Sequence, residues 1–127
     1  MPRLIRTRER HWDRITAVAV TLDGTRAISG SYGEILKVWD LSTGDQLHTF
    51  EGYTDEVTAL AVTPDGTRVI AGSTEGNLEM WDLENGQELG IPWGHEKHVT
   101  SVAVTPDGQR AVSASADATV RVWDLEW

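Results

Sequence analysis

Ser113, His95 and Asp117 are the side-chain types of a hydrolytic triad, and they fall close together in the chain. A triad needs a nucleophilic hydroxyl, an imidazole base and a carboxylate that orients the base, all in hydrogen-bond reach. No nucleophile-elbow motif surrounds Ser113, so the residue types come without the strained turn that presents such a serine. Metal chemistry has less to work with. Of the four histidines, His11, His48, His95 and His98, only the last two have ligand-like spacing, and there is no cysteine. Asp23, Asp65 and Asp107 each precede a glycine at a fixed interval, which reads as turn formation rather than acid catalysis. No glycine-rich phosphate loop leads into a helical run. Neither a metal nor a cofactor is expected.

The elements that would position these residues are set by a repeat. Trp39-Asp40-Leu41, Trp81-Asp82-Leu83 and Trp123-Asp124-Leu125 recur every 42 residues. The run from Ile15 to Arg26 returns as Val57 to Arg68 and again as Val99 to Arg110, without an insertion. Each unit starts with an Ala/Val/Thr-rich run and passes through a Leu-Asp-Gly or Pro-Asp-Gly turn. Proline presets φ at the first central position there, and glycine accepts positive φ. A second run follows (Arg26 to Ser31 in the first unit), then a third that ends at the Trp-Asp pair. Ser42-Thr43-Gly44-Asp45 and Glu84-Asn85-Gly86-Gln87 make further turns, so Gln46 to Phe50 and Gln87 to Ile91 are predicted as outer strands. Third-unit strands are predicted near 99–104, 110–115 and 119–124. No helical periodicity of useful length is present. The class is all-β.

A period in the low forties with Trp-Asp endings resembles the WD40 repeat, whose units form four-stranded β-propeller blades. Of the family's Gly-His signature only Gly94-His95 matches; the equivalent pairs are Gly52-Tyr53 and Arg10-His11. The resemblance implies that His95, Ser113, Asp117 and Trp123 form a structural hydrogen-bond network, not a catalytic triad. That commits His95 and removes the zinc pairing with His98. The first unit keeps His11, Ser29 and Trp39 but has Gly33 for the aspartate. The second has Tyr53, Ala71 and Glu75 beside Trp81. Asp40, Asp82 and Asp124 are read as structural strand ends.

The resemblance also organises the chain. Residues 1–127 make one partial propeller: an outer strand and connection at 1–14, then blades at 15–51, 52–93 and 94–127. The third blade lacks an outer strand of its own. Shifted by 42, Ile5 falls on Leu47 and Thr7 on Thr49, so Arg3, Leu4, Ile5, Arg6, Thr7 and Arg8 stand at the outer-strand position. In the family that strand completes the last blade and closes the ring. Three blades cannot curl far enough for one chain to close on itself, so the expected donor is another copy, joined head to tail. A homotrimer of nine blades is favoured over a homodimer of six.

Charge narrows the partners. The chain carries −9 overall, which argues against nucleic acid, since phosphate binding needs a positive face. Residues 1–14 alone hold five arginines against Glu9 and Asp13, a net +3 suited to docking on an acidic neighbour. No apolar stretch approaches the roughly 20 residues needed to cross a bilayer. Met1 to Arg6 lacks the apolar core of a secretory signal. With no cysteine, a cytoplasmic location is expected.

By resemblance, such propellers present proteins or peptides to loops on one face. The contact positions align to Arg14, Glu56 and His98, and to Tyr32, Thr74 and Ala116, with Trp12 and Trp93 close by. The expected function is a non-catalytic protein- or peptide-binding scaffold that self-assembles into a ring. The alternatives are an architectural part of a larger WD40-repeat protein without its own ligand, or a propeller hydrolase.

Overall fold

A computed structural model describes residues 3–5, 7, 14–31, 36–50, 56–89 and 93–125. It contains three antiparallel sheets, each a simple meander. The first is β1 (Ile15–Val20), β2 (Arg26–Ser31), β3 (Leu36–Asp40) and β4 (Gln46–Phe50). The second is β5 (Val57–Val62), β6 (Arg68–Ser73), β7 (Asn77–Asp82) and the short β8 (Trp93–Gly94). The third is β9 (Val99–Val104), β10 (Arg110–Ser115) and β11 (Val120–Asp124), with three strands among the described residues.

The turns follow from their residues. Gly24, Gly66 and Gly108 take φ of 74°, 74° and 72°, a left-handed conformation that costs residues with a Cβ. In the first turn Asp23 Oδ1 accepts from the Thr21 hydroxyl (2.6 Å), the Thr25 hydroxyl (2.7 Å) and the Thr25 amide (2.9 Å). Asp65 and Asp107 bond the same way to Thr63 and Thr105.

The second outer strand departs from the expectation of Gln87 to Ile91. Of that stretch Gly90 and Ile91 lie outside the described residues; in the rest, Trp81 bridges Glu88, the Asp82 amide donates to the Gln87 carbonyl (2.9 Å) and the Leu89 amide donates to the Met80 carbonyl (2.8 Å). The strand β8 comes later, with Asn77 opposite Gly94 and Leu78 opposite Trp93. Gly90 and Pro92 lie between; proline has no N–H for a ladder and glycine packs nothing, so sequence here disfavours a continuous strand.

The sheets stack face to face, and the contacts repeat with the sequence. Leu60, Val69, Ala71, Trp81 and Leu83 on the second sheet meet Ile28, Leu36, Val38 and Phe50 on the first. One unit on, Val102, Val104, Ala111, Trp123 and Leu125 of the third sheet meet Ala59, Ile70, Leu78 and Met80 of the second. The middle sheet is thus covered on both sides, and β6 from Val69 to Ser73 is fully buried.

Candidate functional site

The hydrogen-bond cluster of the third sheet is built from strand and turn positions. Ser113 sits mid-strand on β10, opposite Arg121 of β11, and points to the face that packs on the second sheet. Its Oγ lies 2.6 Å from His95 Nε2 and accepts from Trp123 Nε1 at 2.8 Å. His95 Nδ1 lies 3.0 Å from Asp117 Oδ2 and 2.9 Å from Thr119 Oγ1. The roles follow in one direction. The indole N–H donates to Ser113, the Ser113 hydroxyl donates to Nε2, and Nδ1–H donates to Asp117. The His95 and Trp123 rings meet edge to face, with centroids 6.5 Å apart.

Serine, imidazole and carboxylate thus stand in the order of a hydrolytic triad, but the serine is buried. Ser113 is 1% exposed and its oxygen is already occupied by the indole. A nucleophile must reach a substrate carbonyl, and this hydroxyl faces the packed second sheet. Buried and satisfied, such a network braces the strands it links.

Thr119 belongs to this cluster and was not singled out by sequence reasoning. Its amide and hydroxyl both bond Asp117 Oδ1, at 2.9 and 2.5 Å. The signal was present: Asp-x-Thr also occurs at Asp23–Thr25 and Asp65–Thr67, where the threonine does the same. The first sheet holds a reduced version, with Trp39 Nε1 donating to Ser29 Oγ at 2.9 Å. His11, Gly33 and Tyr53 lie outside the described residues.

These contacts give an acid response with a definite sign. The Thr119 hydroxyl, then the Glu96 and Thr119 amides and His95, hold the Asp117 carboxyl well below its usual value of 3.8. The Thr21 and Thr25 bonds hold Asp23 at about 2. A carboxylate whose pKa is depressed by folding adds stability above its unfolded pKa and loses it as pH falls through the folded value. The thermal midpoint should therefore be flat above about pH 5 and fall between about pH 4 and 2. Asp117→Asn should lower the midpoint at neutral pH and make the acid slope shallower. A slope equal to that of the unaltered chain, followed by circular dichroism, contradicts this assignment.

The proposed binding positions gather in pairs at one end of the sheets. Thr74 N donates to Glu56 O at 3.0 Å, and Ala116 N donates to His98 O at 3.1 Å. Thr74, His98 and Ala116 are exposed and Glu56 is half-buried. Arg14, exposed just before β1, is the counterpart of Glu56 and His98. Tyr32 and Trp12 lie outside the described residues, as does the side chain of Trp93. Among the described residues no three His, Asp or Glu side chains converge as metal ligands would, and no helix is long and apolar enough to cross a membrane.

The outer faces of the stack are the other candidate surface. On the first sheet Val18 (66% exposed), Val20 and Leu41 face away from the second, with Trp39 half-buried beside them. On the third, Val120 (69%) and Val122 (63%) share a face with Ala103, Val112 and Ala114. Arg3, Leu4 and Ile5 border an open hollow on the first of these faces, next to Val18, Trp39, Leu41 and Gly44. Arg6 and Arg8 lie outside the described residues, and Thr7 is exposed.

Comparison with known proteins places this arrangement. The family model described as "WD domain, G-beta repeat" matches residues 2–40, 44–82 and 86–124. "Dynein assembly factor with WD repeat domains 1" of Danio rerio is 41% identical over 49 residues, which is 39% of this chain and 12% of that protein. The Xenopus laevis protein of that name is 47% identical over 38 residues, 30% of this chain and 9% of its own length. Two solved structures, "Structure of U3-55K" and "Crystal structure of RRP9 WD40 repeats", each superpose with a TM-score of 0.86 at 24% identity. They cover 92% of this chain, and 38% and 37% of their own chains, so the likeness establishes the fold. The chain spans about a tenth of those curated relatives and less than two fifths of those solved chains.

Proposed function

The chain belongs to the WD domain, G-beta repeat family, and from that premise we propose that it is a non-catalytic protein- or peptide-binding scaffold completed head to tail by copies of itself. It is a WD40-repeat scaffold of propeller-like fold, and WD40 proteins bind other proteins. The observation that carries the proposal is the match between its outer faces. Val18, Val20, Ala27, Trp39 and Leu41 are the counterparts, one unit earlier, of Leu60, Val62, Val69, Trp81 and Leu83, which pack on the first sheet. Ala103, Val112, Val120 and Val122 are the counterparts of Ala61, Ile70, Leu78 and Met80. The two exposed faces are thus the two halves of a seam already made twice inside the chain.

The N-terminal residues fit the same scheme. Phe50, at the end of an outer strand, stacks on Trp81 of the next sheet with centroids 6.1 Å apart and touches the Gly86 position. One unit earlier, Leu4 and Ile5, which align with Gln46 and Leu47 of that strand, border the hollow beside Trp39 and Gly44. On this reading the segment Arg3 to Arg8 pairs with β11 of a second copy as its fourth strand. Three copies give nine blades, favoured here over the six of a dimer, and the row of exposed Arg14, Thr74, His98 and Ala116 with half-buried Glu56 then lines one rim for a protein or peptide. A cytoplasmic location belongs to the same reading.

A second reading is favoured by the length of the relatives: as part of a longer polypeptide, the chain would have its outer faces covered by further repeats. The hydrolase reading is disfavoured by the burial of Ser113. Mass in solution separates these. Assembly into closed multiples of 14.0 kDa is expected, and removal of residues 1–9 should weaken it at least about tenfold in concentration. A folded sample that stays at 14.0 kDa at every concentration sinks the self-assembly reading.

A further inference from the structure

The two internal seams share two contacts, a threonine tie and a close approach of valine to glycine. Thr16 Oγ1 donates to the Val57 carbonyl, and Thr58 Oγ1 donates to the Val99 carbonyl at 2.5 Å, so each sheet is tied to the start of the next inner strand. The same two valines press on glycine. A Cβ at Gly30 would stand 2.5 Å from Val57 Cγ1, and one at Gly72 would stand 2.6 Å from Val99 Cγ1. Carbon atoms pack at about 3.5–4.0 Å, so neither seam has room for the methyl group.

One unit further, the counterpart of Gly30 and Gly72 is Ala114 on β10, and the counterpart of Val57 and Val99 is Ile15 on β1. Ile15 is exposed and Ala114 half-buried, each on an outer face of the stack. Thr100 keeps the place of Thr16 and Thr58 and is exposed. In the second seam Gly76, pressed by the His95 and Lys97 carbonyls, likewise has an alanine, Ala118, as its counterpart on the third sheet.

Resting on the self-assembly reading, we infer that Ala114 and Ile15 meet across the joint between copies and hold its inner edge wider than the two seams within a chain. The Thr100 hydroxyl, facing the Ile15 carbonyl of the next copy, supplies the tie that orients the joint. A methyl group where the internal seams have a hydrogen pushes the inner strands apart, while Trp39 and Leu41 can still close the outer part. Widening the inner edge alone reduces the angle between adjacent sheets, which favours nine blades over six. The joint between copies is therefore the loosest contact in the assembly and the one at which it comes apart on dilution.

Sedimentation velocity over a dilution series tests this with the unaltered chain, Ala114→Gly and Ala114→Val, each checked for folding by circular dichroism. Ala114→Gly should move the half-assembly concentration down about tenfold, and Ala114→Val should move it up by at least as much. A chain that is monomeric as it stands but assembles as Ala114→Gly also supports the inference. If the unaltered chain assembles and all three share one midpoint, the joint does not run through Ala114; the inference falls and the self-assembly reading stands. If all three stay monomeric at every concentration, both fall.

Discussion

Gly76→Ala is expected to destabilise the chain by about 2–5 kcal/mol, combining left-handed backbone strain of about 1–2 with forced overpacking of about 1–3. Gly76 has φ of +88°, and a Cβ there would stand 2.3 Å from the His95 carbonyl oxygen and 2.7 Å from that of Lys97. Both are backbone atoms, so no rotamer change relieves the contact. The Gly76 carbonyl also accepts from the His95 amide at 2.8 Å, so pushing the strands apart moves His95 from Ser113. Ala118, its counterpart one unit on, adopts +70° on the third sheet, beyond which no further sheet is described. Strain alone is therefore tolerated, and the crowding decides. Urea unfolding measures the loss; a change below about 1 kcal/mol, within the range of ordinary substitutions, would show that the second seam yields more readily than its contacts indicate.

The second large effect belongs to Ser113. Ser113→Ala leaves the Trp123 indole N–H and His95 Nε2 without their shared partner, in a place where His95 is buried. An orphaned buried polar group costs about 1–3 kcal/mol, and the loss should appear in urea unfolding with strand content unchanged. Assembly and ligand capture should persist at temperatures where the variant is folded. A hydrolase would behave in the opposite way, with an activity lost and stability kept. The two outcomes separate a scaffold from an enzyme at one residue.

Much of this architecture was readable from spacing. The Trp-Asp interval located β3, β7 and β11, and the Asp-Gly turns located the boundaries between first and second strands, because each rests on local chemistry: an aspartate that accepts from its own turn and a glycine that takes positive φ. The outer strand of the second sheet was less legible. Residue type alone, with Gly90 and Pro92 in the stretch, does not state that a pairing with β7 lies at Trp93 and Gly94.

Of the site, His95, Ser113, Asp117 and Trp123 were found through resemblance, whereas Thr119 was carried by a pattern repeated three times and passed over. The seam threonines were equally visible as Thr16, Thr58 and Thr100. Their meaning required coordinates, because their partners lie a whole unit away on a different sheet. The candidate rim was legible as aligned positions, and the geometry adds that Glu56 and Thr74, and His98 and Ala116, are tied through the backbone.

The sameness of the two internal seams has a consequence for how such a chain can change over generations. Each sheet offers the next the surface it receives from the one before, so an in-frame duplication of one unit inserts a sheet that already fits on both sides. Lengthening by copying needs no new contact chemistry. The seam glycines limit that copying: a unit carrying alanine at the Gly30 and Gly72 position, as the third does at Ala114, would bring a methyl group where the two described seams have a hydrogen.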